Sequence, residues 1–238
     1  MEKVTAPKIQ GAKLENRKIS MLTAYDYSFA KIFDETGIDI ILVGDSLGNV
    51  ILGFENTKAV TMADVLHHTK AVAKGVTRSL LVADLPFGSM KKAVSNAQEL
   101  MKAGAEAVKI EGTKTIEGTK AIIKEGIPVM GHLGCLPQTA QKYKIQRSPE
   151  IVVQAKLLEQ AGVFAIVLEL VDPEIARAVT KAVKVPTIGI GSGPHCDGQV
   201  LVSYDMLGLY PNAPKHAKKY VDLTAEISKA VRTFMAAC

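Results

Sequence analysis

Five consecutive apolar runs end in side chains that ionise. They close in Gly44-Asp45-Ser46, in Asp84, in Lys109-Ile110-Glu111, in Gly131-His132 and in Glu169. Taken singly, an acid at such a place caps the next helix as readily as it binds a ligand. Taken together, Asp45, Asp84 and Glu111 would lie on three neighbouring strands. Their carboxylates would repel unless a cation neutralised them. All-oxygen donors select a hard divalent ion, Mg2+ first and Mn2+ second, with room left for water and substrate oxygens. Lys109 precedes Glu111 by two residues and so faces the same side of a strand. There it pairs with the acids, binds a substrate carboxylate, or forms a Schiff base as in a class I aldolase.

Glu169 interrupts an apolar stretch, Phe164 to Val171. Such surroundings disfavour its charged form and are expected to raise its pKa toward the range useful for a general base. A capping or salt-bridged acid is the alternative. His132 could polarise a substrate oxygen or be a satisfied histidine between glycines. The adjacent His67 and His68 sit on a helix, face different directions and read as structural or surface residues. A cation, a lysine and a base suit a 2-oxo acid. The ion would be chelated by the keto oxygen and one carboxylate oxygen, would acidify the neighbouring C–H and would hold the enolate.

These side chains need a scaffold that brings strand ends together. Apolar runs at 19–22, 38–43, 80–83, 107–110, 127–130, 164–168 and 185–190 read as strands. They are continuous rather than alternating, the mark of a parallel sheet covered on both faces. Helices are expected between them at 27–36, 62–74, 93–103, 117–124, 150–160 and 174–182, with a last helix at 223–236. Gly37, Gly75, Gly104, Gly126 and Gly162 stand where helices stop in a left-handed residue. Thr61 reads as an N-cap, and Pro149 and Pro173 stand where a first helical turn begins. An eighth strand falls at 200–203 or 206–209, and residues 5–15 suit a short helix capping the barrel bottom. The 238 residues divide into eight units of about 30, the size of one strand-plus-helix unit. The expectation is a single (β/α)8 barrel domain over residues 1–238 with a short N-terminal helical cap. Chemistry in such a barrel sits at the C-terminal ends of the strands. The glycine run at 189–193 either cradles a phosphate or, as preferred here, makes a tight loop over the mouth.

Composition narrows the function classes. The chain is 47% hydrophobic and 22% charged, which are ordinary globular proportions. The net charge of +5 is spread along the chain, and its densest cluster is Lys215, Lys218 and Lys219. Without an aromatic-interleaved basic stripe, solvated helix faces explain the charge better than nucleic-acid binding. No apolar run reaches the roughly 18–20 residues of a membrane span. The N-terminal stretch is too polar for a signal peptide. Cys135, Cys196 and Cys238 form no pairing pattern, so a reduced, cytoplasmic protein is expected.

Longer segments now become recognisable. They are Met21-Leu22-Thr23-Ala24-Tyr25-Asp26-Tyr27, Leu42-Val43-Gly44-Asp45-Ser46-Leu47-Gly48, Leu81-Val82-Ala83-Asp84-Leu85-Pro86-Phe87, Val108-Lys109-Ile110-Glu111-Gly112, Gly131-His132-Leu133-Gly134, and Ile188-Gly189-Ile190-Gly191-Ser192-Gly193 with Cys196-Asp197-Gly198-Gln199. In this order, from about Lys8 onward, the sequence resembles the ketopantoate (3-methyl-2-oxobutanoate) hydroxymethyltransferase family. The resemblance implies a barrel of the phosphoenolpyruvate/pyruvate type. It implies transfer of a hydroxymethyl group from 5,10-methylenetetrahydrofolate to 3-methyl-2-oxobutanoate in pantothenate synthesis. It implies Mg2+ at Asp45, Asp84 and Glu111, substrate binding by Asp45, Ser46, Asp84 and Lys109, and Glu169 as proton acceptor. It further implies a homo-oligomer, commonly a decamer of two pentameric rings, with small-molecule partners only.

Two features depart from the family pattern. After Gly134 the chain runs quickly through Cys135-Leu136-Pro137-Gln138 to Tyr143-Lys144, without the usual longer loop and its Gly-Gly pair. It also stops at Cys238 without the short acidic, aromatic tail of many members, so it reads as a compact version of the family. A related metal-dependent lyase or mutase on another 2-oxo acid, and a noncatalytic oligomeric barrel, are the alternatives. The second would have lost carboxylates from the cluster, and all are present.

Overall fold

The computed structural model describes residues 2–140, 142–214 and 217–238. Lys215, counted above in the basic cluster, lies outside them. Eight parallel strands close on one another in sequence order: β1 (Ile19–Thr23), β2 (Ile40–Val43), β3 (Leu80–Asp84), β4 (Ala107–Glu111), β5 (Val129–Gly134), β6 (Ala165–Glu169), β7 (Thr187–Ile190) and β8 (Gly198–Leu201). The helices are α1 (Ala6–Leu14), α2 (Tyr27–Thr36), α3 (Leu47–Val50), α4 (Met62–Ala73), α5 (Ala93–Lys102), α6 (Ile116–Lys124), α7 (Glu150–Ala161), α8 (Pro173–Ala182), α9 (Ser203–Met206) and α10 (Leu223–Ala237).

Two apolar layers follow from the two-residue period of a strand. Outward residues such as Ile41, Leu81, Val108, Val129 and Ile166 pack under the helices. Inward residues Ile19, Met21, Ile40, Leu42, Leu80, Val82, Ala107, Met130, Ala165, Val167, Ile188 and Val200 fill the barrel. Val4, Ala6, Ile9 and Ala12, on or just before α1, join that inner layer and close its lower end. The next inward positions along β3, β4, β5 and β6 are Asp84, Lys109 and Glu111, His132, and Glu169. The inner lining therefore turns from apolar to ionisable within one strand length.

Thr61 and Asp64 form a capping box on α4. Gly37, Gly104, Gly126 and Gly162 adopt positive φ, whereas Gly75 does not. Gly75 answers to space instead: a Cβ there would lie 2.7 Å from the Tyr27 carbonyl oxygen. The eighth strand begins at Gly198, ahead of both expected positions, and α9 occupies Ser203–Met206. Its sequence, GQVL, is too short and too polar to stand out as an apolar run. At the lower end the Asp34 carboxylate accepts from the backbone N–H groups of Thr77, Arg78 and Ser79 and from the Thr77 hydroxyl. Burial works against its charge, but these donors prevail and hold its pKa at about 2.

Candidate active site

Asp45, Asp84, Lys109, His132 and Glu169 line a cavity of about 640 Å3 in the upper end of the barrel, with Glu111 behind them. Asp45, Asp84 and Lys109 form its buried floor. The Lys109 Nζ lies 2.7 Å from Asp84 Oδ1, and the Asp45 backbone N–H donates to Asp84 Oδ2 at 2.9 Å. Asp45 sits just beyond β2, and Gly44 before it leaves room for Ser46: a Gly44 Cβ would stand 3.0 Å from Ser46 Oγ.

Burial and then the Asp84 charge push the Asp45 carboxyl up to about 7. Burial also raises Asp84, against the pull of Lys109. Burial disfavours the Lys109 ammonium, yet the three surrounding carboxylates more than reverse this and hold its pKa above the ordinary value. Lys109 is thus kept as a cation, the form that binds a carboxylate rather than the amine that attacks a carbonyl.

His132 connects the remaining acids. It lies within β5, which runs on to Gly134 instead of ending at residue 130 as the sequence suggested. Its Nδ1 is 3.5 Å from Glu111 Oε1, and its Nε2 is 3.2 Å from Glu169 Oε2. Neither contact is aligned as a hydrogen bond among the described residues. Burial and Lys109 oppose a charged ring, but the two glutamates prevail and raise its pKa to about 9. Glu169 is therefore not enclosed by apolar groups, as its sequence neighbours suggested. β6 alternates, so Leu168 turns outward while Glu169 faces the cavity and His132.

Backbone geometry fixes this glutamate from behind. Leu170 has φ of +48°, a conformation that L-residues adopt at a cost of about 1–2 kcal/mol. It is held there by bonds from its own N–H to the Ile190 carbonyl and from the Gln146 N–H to its carbonyl. Ser192, fully buried, donates to the Leu168 carbonyl and accepts from the Val171 N–H. The glycine-rich turn after β7 is thus the tight loop preferred above, and its hydroxyl braces the end of β6.

The structure gathers only part of the expected three-carboxylate cluster. Among the described residues no three Asp, Glu, His or Cys side chains are grouped closely enough to hold one metal ion. Asp45 and Asp84 converge; Glu111 is drawn aside toward His132 and the loop after β5. Gln138 bridges the gap: its backbone N–H donates to Glu111 Oε2 at 3.2 Å and its Nε2 to Asp45 Oδ2 at 3.0 Å. Glu111 Oε1 is buried and without a hydrogen-bond partner among the described residues. Two repelling buried carboxylates with an orphaned third oxygen behind them fit a hard cation held directly by few protein groups. Ser46 stands beside Asp45, and its Oγ shares a 2.7 Å hydrogen bond with the Tyr25 hydroxyl.

Sequence reasoning missed Gln138, Tyr25, Tyr143 and Asp205, all at or near this cavity. The loop after β5 covers the mouth, contributing Pro137, Tyr143, Lys144 and Ile145 to its lining. Gln146 pins that loop through a bridge to Val171.

With this geometry, comparison with known proteins is decisive. The model of the ketopantoate hydroxymethyltransferase family matches residues 3–238. The chain belongs to that family. It is 51% identical to the 3-methyl-2-oxobutanoate hydroxymethyltransferase of Ignicoccus hospitalis, covering 98% of this chain and 94% of the relative. It is 50% identical to the enzyme of the same name from Caldicellulosiruptor saccharolyticus, covering 99% and 94%. Among solved structures, the phosphoenolpyruvate phosphomutase of Streptomyces platensis subsp. rosaceus superposes with a TM-score of 0.70 at 14% identity, covering 98% of this chain and 86% of that one. A phosphonopyruvate hydrolase in complex with oxalate and Mg2+ gives 0.66 at 17%, covering 98% and 86%. These last two share the barrel fold.

Proposed function

We propose that the protein transfers a hydroxymethyl group from 5,10-methylenetetrahydrofolate to 3-methyl-2-oxobutanoate, with water supplying the hydroxyl, to give 2-dehydropantoate for pantothenate synthesis. The carrying observation is one cavity that opposes the Asp45–Asp84–Lys109 cluster to Glu169, in a chain about half identical to enzymes of that name over their length. Asp45 and Asp84 would hold Mg2+, or Mn2+, with the Glu111 charge behind them. The bound ion supplies Lewis-acid polarisation of the keto oxygen.

The remaining steps belong to the chain's own side chains. The Lys109 ammonium and the Ser46 hydroxyl hold the substrate carboxylate, and Tyr25 orients Ser46. Glu169 takes the C3 proton and keeps it at its carboxylate, facing the His132 ring. His132 stays close to both glutamates and steadies the negative charge between them. The loop carrying Tyr143 and Lys144 excludes water from the cavity. The reaction requires no membrane, and no helix among the described residues is long and apolar enough to cross one.

The reading includes a cytoplasmic homo-oligomer built from one barrel domain per chain. The homo-oligomer is supported by α10, none of whose residues is buried and whose Ile227, Val231 and Phe234 form an exposed apolar stripe. The test is exchange of the C3 proton of 3-methyl-2-oxobutanoate with deuterium, followed by NMR, with Mg2+ and without folate. No exchange by the folded, metal-loaded protein would sink the proposal. Glu169→Gln should slow exchange by roughly 10²–10⁴-fold, the usual worth of a general base, while retaining metal binding. Undiminished exchange would remove Glu169 as the base.

A further inference from the structure

The cavity is larger than a small oxo acid requires. Its volume of about 640 Å3 falls in the range, roughly 300–1,000 Å3, that accommodates a drug-sized ligand. The ionisable cluster occupies one side. The other side is formed beyond β8, where Val202, Asp205, Tyr210, Asn212 and Pro214 line the wall.

Asp205 has no part in the chemistry described above. It lies in the short helix α9, is 5% exposed, and its Oδ1 has no hydrogen-bond partner among the described residues. The hydroxyls nearby are committed elsewhere. Thr23 Oγ1 accepts from the Ser203 N–H at 2.9 Å and lies 3.3 Å from its Oγ, and the Tyr25 hydroxyl is engaged by Ser46. Buried polar atoms in native proteins are almost always paired. The Asp205 carboxylate borders the cavity with no protein donor on its Oδ1, so a donor carried by a ligand would satisfy it. Burial also raises the carboxyl to about 6, and a bound donor pair would restore its charged form.

A carboxylate presents two acceptors side by side and matches a planar group with two parallel N–H donors. The 2-amino-4-oxopyrimidine edge of a pterin offers such a pair, its N3–H and its 2-amino group. The reactive methylene of a methylenetetrahydrofolate lies on the far ring, away from that edge. Resting on the folate-linked reading above, we infer that Asp205 binds the 2-amino-pyrimidinone edge of the folate co-substrate. Val202, Tyr210 and Pro214 supply the flat and apolar walls for the fused ring. The methylene is thereby directed back across the cavity toward the oxo acid.

The experiment is calorimetric titration with tetrahydrofolate in the presence of Mg2+ and 3-methyl-2-oxobutanoate. Tetrahydrofolate has no carbon to transfer, so no turnover intervenes. Asp205→Asn, nearly isosteric, should weaken binding at least tenfold, and Asp205→Ala by 10- to 100-fold. Against 2-desamino-2-methyl-tetrahydrofolate the loss caused by Asp205→Asn should shrink below threefold, which a merely structural role would not produce. Equal affinity of wild type and Asp205→Asn overturns the inference. So does a loss that is independent of the 2-amino group, or a wild type that shows no saturable tetrahydrofolate binding. Exchange of the oxo acid's C3 proton needs no folate, so failure of the function reading is told apart from failure of this one.

Discussion

Gly134→Ala tests how tightly β5 and β6 fix the proposed base. Gly134 pairs with Glu169 across the two strands and has φ of +100°. A Cβ at this position would lie 2.2 Å from the Glu169 carbonyl oxygen and 2.6 Å from Val171 Cγ2. Ordinary non-bonded separation is roughly 3.5 Å, so the end of β6 must retreat by about 1 Å or more. Three effects add. A left-handed alanine costs about 1–2 kcal/mol. Overpacking in a fixed backbone costs about 1–3 kcal/mol. The hydrogen bond from the Cys135 N–H to the Glu169 carbonyl, 2.8 Å long, contributes about 1 kcal/mol more when lost. The expected loss is roughly 3–6 kcal/mol.

Gly126→Ala is the control. Gly126 has φ of +78° with nothing within 4 Å of the added Cβ, so only the conformational cost of about 1–2 kcal/mol applies. Urea unfolding of the two variants at one protein concentration gives the difference. Deuterium exchange gives the functional side, because a displacement of about 1 Å at a reacting group can lower a rate roughly 10²-fold. Exchange should fall at least tenfold in Gly134→Ala and stay within twofold in Gly126→Ala. Unfolding midpoints that coincide, with equal exchange rates, would refute the idea that the Gly134–Glu169 approach positions the base.

Further outcomes follow from the buried charges. The Asp34 carboxyl falls from 3.8 to about 2 on folding, so it contributes about 2 kcal/mol above pH 4, lost as pH falls through 2. Asp34→Asn should lower stability at neutral pH by about 2 kcal/mol and flatten the acid limb of the stability profile. Parallel profiles for the two proteins between pH 5 and 2 would contradict this. Asp84→Asn removes the direct partner of the buried Lys109 ammonium, leaving Asp45 and Glu111 as its remaining counter-charges, and should destabilise the chelator-treated protein by up to about 3 kcal/mol. The double variant Asp84→Asn with Lys109→Met should recover most of that loss in thermal unfolding while remaining inactive. No recovery would mean that the pair is not the source of the loss.

The sequence alone carried the strand ends. Apolar runs located seven strands, their ends carried Asp84, Lys109, Glu111, His132 and Glu169, and the two-residue period put Lys109 and Glu111 on one side. These are local properties, readable because a strand's side-chain direction depends only on residue parity. The family motifs added Ser46, whose type and place give no signal by themselves. The eighth strand escaped because Gly198 and Gln199 interrupt any apolar run, and Asp205 beyond it was missed with it.

Tertiary structure decided what parity could not. Inward-facing acids on neighbouring strands need not meet: Asp45 joins Asp84, while Glu111 is turned to His132 by Gln138, a loop residue 27 positions further along the chain. Glu169 looked apolar in its environment because its sequence neighbours are apolar, yet Leu168 turns out of the barrel and His132, from the adjacent strand, faces the carboxylate. Charge environment depends on distances across the barrel, and barrel closure, through the pairing of β1 with β8, sets those distances. One strand's sequence holds no information about them.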